Sequence, residues 1–270
     1  MNMFDSVTNA LESCGVCIDE GGLLLLSETS STTACGLVCH VITSELANNH
    51  HVCFVSMQHT WGHYCNIGNK LGVNLRQLTS DGKIQVIEML KLLSRTLDEV
   101  TDSADDPFDF IKTPSVHPLH KLYQLIRRTL QPWLDKNEFF ILVLDGISFL
   151  LNLGLKSADI HNFINYCRNL TEMGDLSGRY AGTLVVVTQL YEKDDETSIV
   201  SSKIIHTSNT YISLDSLKTG LSREVHGNFI INVLNRKLPH ICSPEVWTFQ
   251  YKMEDKNMKL FAPGTASGVL

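Results

Sequence analysis

Leu23-Leu24-Leu25-Leu26, then Ser27-Glu28-Thr29-Ser30-Ser31-Thr32-Thr33-Ala34, then Leu37, Val38, Val41 and Ile42 at helical spacing, set the architecture of this chain. The four leucines follow Gly21-Gly22 and have the continuity of a strand buried on both faces. The residues between them and Ala34 are polar, and the apolar positions after Ala34 recur every three or four residues. The order is therefore strand, polar loop, helix. Much later, the apolar run Phe139 to Leu144 ends on Asp145-Gly146. Proteins that cradle nucleotide phosphates place their phosphate loop and their magnesium-associated carboxylate in this order.

A working phosphate loop reads G-x-x-x-x-G-K-[ST]. Its glycines let backbone N–H groups turn toward the phosphates, its lysine neutralises charge, and its hydroxyl meets magnesium. Here the frame falls on Ser27 to Ala34. Ser27 and Thr32 stand at the glycine positions, Thr33 stands where lysine belongs, and Ala34 replaces the hydroxyl residue. Thr32 is β-branched and resists a positive φ, and Glu28 adds an anion near the place of the phosphates. Tight triphosphate binding is not expected. The same residues also fit an ordinary polar turn whose Ser and Thr side chains cap a helix, and both readings stay open on local spacing. Asp145 is likewise double: it suits a magnesium carboxylate acting through water, or an Asp that ends a strand at a turn with Gly146. With the partner loop stripped of its residues, the structural reading of Asp145 is preferred.

The remaining elements extend the same alternation. Val52-Cys53-Phe54-Val55 reads as a second strand, followed by a short helix with a glycine stop near Gly68 to Leu75. Ile84-Gln85-Val86-Ile87 reads as a third strand. The segment 98–118 carries Asp102, Asp105, Asp106, Pro107, Asp109 and Pro114 without apolar periodicity, and it predicts an exposed insertion. A helix is expected over 119–133 and another around Ile160, Phe163, Ile164 and Cys167. Thr183 to Thr188 has the apolar continuity of an interior parallel strand, and 191–202 reads as a polar loop. Strand-like runs at 210–214, 229–234, 246–251 and 259–261, joined by short turns, predict antiparallel strands that finish a mixed sheet.

The composition excludes several functions. A chain of 270 residues with 43% hydrophobic and 19% charged residues suits one large domain over 1–270. The net charge of -7, with 22 basic and 29 acidic residues, is opposed to a chain whose own field gathers nucleic acid or anionic membrane. No apolar run reaches the roughly 20 residues of a membrane helix, and no export signal opens the sequence. A soluble chain with eight reduced cysteines, in the cytosol or nucleus, is expected.

Other constellations carry less. Cys14-Gly15-Val16-Cys17 lies ahead of any strand, unlike a redox motif that follows one and opens a helix. Cys35, Cys39 and His40, or His59, His63 and Cys65, lack the paired spacing of structural zinc, so no metal is expected. His59, Trp61, His63 and Tyr64 form a polar-aromatic cluster after the second strand, where α/β proteins put functional loops, and a packed surface loop is the preferred reading. No G-x-S-x-G, H-E-x-x-H or G-x-G-x-x-G occurs. The stretch Lys218 to Gly227 joins two late strands and sets Lys218, Arg223 and His226 between glycines. It is a candidate contact for a phosphate backbone or a neighbour's site, set against a plain solvated hairpin.

Several segments together resemble the family of the sixth Elongator subunit, whose members are RecA-like and have lost the phosphate-binding lysine. The resemblance rests on Val52-Cys53-Phe54-Val55, His63-Tyr64, Gly68-x-Lys70-Leu71-Gly72-Val73, and the strand into Asp145 with Leu150-Leu151-x-Leu153-Gly154. It continues through Phe163-Ile164-x-Tyr166-Cys167-Arg168, Thr219-Gly220, Arg223-x-Val225-His226-Gly227, Thr248-Phe249-Gln250-Tyr251-Lys252 and Asp255-Lys256. It implies a non-catalytic RecA-like subunit, without cofactor, of a hetero-hexameric ring built with Elongator subunits four and five, two copies of each. Such a ring binds tRNA and supports wobble-uridine modification by the rest of the complex, in cytoplasm and nucleus. The resemblance also implies that Ser27 to Ala34 is a degenerate phosphate loop, with Asp145 at the carboxylate position. An unorthodox or trans-acting ATPase and a free regulatory adaptor remain as rivals.

Overall fold

In the computed structural model, which describes residues 5–29, 31–98, 106–113, 115–173, 181–190, 196–217, 224–234, 245–254 and 257–264, the leucine run is a strand buried along its whole length. In chain order the described residues form α1 (Asp5–Ser13), β1 (Gly22–Glu28), α2 (Cys35–Ala47), β2 (His51–Ser56), α3 (Trp61–Lys70), α4 (Leu75–Ser80) and β3 (Ile84–Glu88). There follow α5 (Met89–Asp98), α6 (Asp109–Lys112), α7 (His120–Asp135), β4 (Phe140–Asp145), α8 (Phe149–Asn152), α9 (Ser157–Glu172) and β5 (Gly182–Gln189). The chain ends in α10 (Glu196–Thr207), β6 (Thr210–Ser216), β7 (Gly227–Val233), β8 (Glu245–Met253) and β9 (Met258–Phe261).

The nine strands form one sheet in the order β3-β2-β4-β5-β1-β6-β7-β8-β9. Neighbours from β3 through β6 are parallel, and β6 through β9 are antiparallel. Successive side chains of a strand point to opposite faces, and both faces of the central strands are covered. Leu24, Leu26, Phe54, Val143 and Val185 pack in the layer that holds α1 to α4. Leu23, Leu25, Val55, Leu142 and Val186 pack in the layer of α5 and α7 to α10. That is why these strands read as unbroken apolar runs rather than alternating ones. Each fully buried leucine contributes on the order of 1.5–3 kcal/mol.

The chain's beginning closes the far edge. Ser6 donates its hydroxyl to the Met258 carbonyl at 2.8 Å and accepts from the Leu260 amide at 3.3 Å, so α1 occupies hydrogen-bonding groups of the edge strand β9. The strand readings hold, with one adjustment: β6 runs parallel to β1 and only its successors are antiparallel.

Two expectations are corrected. The segment around 106–113 is not an exposed insertion, because Phe108 is fully buried in the core and Asp106 accepts from Thr96 Oγ1 at 2.8 Å and Phe108 N at 2.9 Å. The stretch expected as a polar loop carries α10, whose Val200, Ser201 and Ile204 turn one buried stripe inward. The helix with a glycine stop expected within Gly68 to Leu75 is present: α3 ends at Lys70 and Gly72 turns the chain with φ 78°, while Gly68 lies inside α3, where a Cβ would stand 2.8 Å from the Leu75 side chain.

Candidate functional site

The carboxyl ends of β1, β2, β4 and β5 meet at one edge of the sheet, where doubly covered parallel sheets bind ligands. The register puts Glu28 opposite Gln189 and Ser56 opposite Asp145. Ser27 and Glu28 are still strand and both are buried, which differs from a loop beginning at Ser27. Ser27 Oγ pairs with the Tyr211 hydroxyl of β6 at 2.9 Å.

The segment after β1 is held by its own side chains. Thr32 Oγ1 accepts from the Thr29 amide at 2.8 Å and donates to the Leu214 carbonyl of β6 at 2.8 Å. Thr33 is exposed, and its Oγ1 accepts from Cys35 N at 3.3 Å. Thr33 thereby gives the opening of α2 the threonine oxygen that a polar capping turn also supplies, but Ala34 itself, the residue before α2, has φ -85° and no side-chain cap. Instead the Ala34 amide donates to Glu28 Oε2 at 2.6 Å, while Gln58 Nε2 and Gln189 Nε2 each donate to Glu28 Oε1 at 3.3 Å. No residue from 27 to 34 adopts a positive φ among the described positions.

Asp145 ends β4 with 1% exposure. Tyr64 donates its hydroxyl to Asp145 Oδ1 at 2.7 Å and receives the Cys35 thiol at 3.6 Å. Asp145 Oδ2 is buried with no partner at hydrogen-bonding geometry among the described residues. Burial pushes the Asp145 carboxyl from 3.8 up to about 7; the negative charge of Glu28 adds to this, and the bonds from Tyr64 and the His59 backbone pull it back. Burial also raises the Tyr64 phenol well above its usual value and pushes the Cys35 thiol up to about 11, so neither is an activated nucleophile. Gly146 follows with φ 77°, and a Cβ there would stand 2.4 Å from Gln58 Cβ. The close approach of Gln58 therefore depends on that glycine.

None of the side chains bonded to Glu28 or Asp145 is cationic. Among the described residues no group of three His, Cys, Asp or Glu could hold a metal ion. Cys14 is buried and Cys17 exposed, both as free thiols. The polar-aromatic cluster is partly core: Tyr64 is fully buried, Trp61 opens α3, and His59 stacks on His63 at 4.9 Å. These two histidines, Thr33, Lys70, Met253 and Met258 border a cleft of about 590 Å3 beside the loop.

The β6–β7 connection leaves the same edge as the loop after β1, and Thr32 ties the two together through Leu214. Lys218 and Arg223 lie outside the described residues. His226 is described and exposed; its amide donates to Tyr251 O at 2.8 Å and its Nδ1 accepts from Met253 N at 3.0 Å. Its role there is to brace β8. Sequence reasoning missed Gln58 and Gln189 as partners of Glu28. The available signal was a polar residue at the carboxyl end of an apolar strand, on the edge where such sheets hold ligands.

The family model of Elongation complex protein 6 matches residues 4–255. The human protein called Elongator complex protein 6 is 30% identical over 99% of this chain and all of its own length, and the rat protein is 31% identical with the same coverage. The Drosophila melanogaster protein of that name is 26% identical over 95% of this chain and 97% of its own. In fold, the chain is similar to a KaiC-like protein of Pyrococcus horikoshii, with TM-score 0.55, 13% identity and 90% of each chain covered. A second protein of that archaeon, uncharacterised and solved with an unknown peptide, gives TM-score 0.63 at 12% identity over 95% of this chain and 98% of its own. The fold is thus RecA-like, a mostly parallel sheet flanked by helices with antiparallel strands at its C-terminal side.

Proposed function

This chain belongs to the Elongation complex protein 6 family, the sixth subunit of Elongator, and on that premise we propose that it is a non-catalytic subunit of a RecA-like ring formed with Elongator subunits four and five. The ring holds tRNA and supports wobble-uridine modification by the catalytic part of the complex, in cytoplasm and nucleus. The observation that carries the non-catalytic reading is the site itself. Ser27 to Ala34 is a degenerate phosphate loop without its lysine, and its helix-opening amide is bonded to Glu28. Asp145 stands at the magnesium-carboxylate position, but it is bonded to a tyrosine and burial favours its neutral form.

Calorimetric titration of the isolated chain with Mg-ATP tests this. No binding in the micromolar range is expected, and micromolar affinity overturns it in favour of an unorthodox ATPase. Lys218 and Arg223, on the connection that leaves the same edge, are the proposed contacts to RNA or to a neighbour's site. Arg223→Ala in the assembled ring is expected to weaken tRNA binding and to reduce its salt slope by about one. Unchanged affinity and slope remove Arg223 from the RNA surface.

A further inference from the structure

The amide that opens α2 has an acceptor supplied by the chain itself. Glu28 is 4% exposed, and its two carboxylate oxygens together accept from Ala34 N at 2.6 Å and from the side-chain amides of Gln58 and Gln189 at 3.3 Å each. Three donors converging on one carboxylate make a satisfied buried anion, and a helix N-terminus favours negative charge. The three come from separate places: the loop after β1, the turn after β2 and the end of β5. The loop around the carboxylate is tied independently through Thr32 to Thr29 and to β6.

We propose that Glu28 is an internal ligand of this loop, a carboxylate seated on a donor that a bound phosphate would need, which excludes phosphate from the site independently of the missing lysine. The two causes differ physically. Loss of the lysine removes an attraction, whereas the carboxylate occupies a donor and repels any second anion. An incoming phosphate would have to share the site with Glu28, with Asp145 also near enough to feel its charge, or displace Glu28 from three bonds at once. This inference rests on reading Ser27 to Ala34 as a degenerate phosphate loop and uses nothing about the ring. A failure of ring assembly therefore leaves it standing, and its own failure leaves the ring untouched.

The test separates the two causes. Inorganic pyrophosphate with magnesium is titrated calorimetrically into the full chain as parent, Thr33→Lys, and Glu28→Ala with Thr33→Lys. Thr33 is exposed, so a lysine fits there. Parent and Thr33→Lys are expected not to bind in the millimolar range, and the double variant is expected to bind at least about tenfold more tightly than Thr33→Lys. Equal affinity of the single and double variants assigns exclusion to the lost lysine alone and overturns the proposal. Absence of binding by a folded double variant overturns it too. If the double variant does not fold, the amide spectrum of the nitrogen-15-labelled parent decides. The Ala34 amide proton is expected far downfield, as for a short bond to carboxylate, and unmoved by pyrophosphate. An ordinary shift, or movement on adding pyrophosphate, contradicts the proposal.

Discussion

Asp145 shows at the scale of one residue how burial sets the chemistry of this edge. Its carboxyl is held by Tyr64 and the His59 backbone, has no cationic partner among the described residues, and has a raised pKa caused first by burial. A carboxyl raised from 3.8 to about 7 is protonated in the folded chain while the unfolded chain has already ionised. Its contribution to stability is thus complete below about pH 4 and is lost as pH rises toward 7. Asp145→Asn does not titrate, so the stability difference between variant and parent is expected to move in the variant's favour across that window, by at most about 4 kcal/mol. Denaturant unfolding at several pH values measures it, and a difference that stays constant with pH contradicts the assignment. The identity of Glu28 as an anion beside the loop was legible from position alone. Its partners were not, because Gln58 and Gln189 reach it only through the strand order β2-β4-β5-β1 and the turn at Gly146.

At the scale of elements, what was readable follows from how each is buried. β1, β2, β4 and β5 are covered on both faces, so their apolar continuity announced them. α10 hid because its buried stripe is only Val200, Ser201 and Ile204 among polar and β-branched neighbours, and β-branched residues are weak helix formers. The acidic segment before α6 hid its anchor for a related reason. One fully buried phenylalanine has no period, and the aspartate beside it reads as solvent-facing until its bonds to Thr96 and the Phe108 amide are seen. Phe108→Ala is expected to lower unfolding stability by about 3–5 kcal/mol, as for a large core aromatic. A loss under about 0.5 kcal/mol, the range of an exposed loop, would return the segment to the surface.

For the whole molecule, the sheet that presents the segment after β1 also carries the β6–β7 connection at the same edge, tied to it by the Thr32–Leu214 bond. The mostly parallel α/β architecture was legible because strand, loop and helix follow each other locally, and its RecA-like character came from the family resemblance. The proposed ring was not, since a surface that meets a partner carries no period in the sequence of one chain. Co-expression of this chain with Elongator subunits four and five, followed by native mass measurement, tests the proposal most directly. Two copies of each subunit in one assembly, formed without added nucleotide, are predicted; a chain that stays monomeric beside both partners would contradict the account.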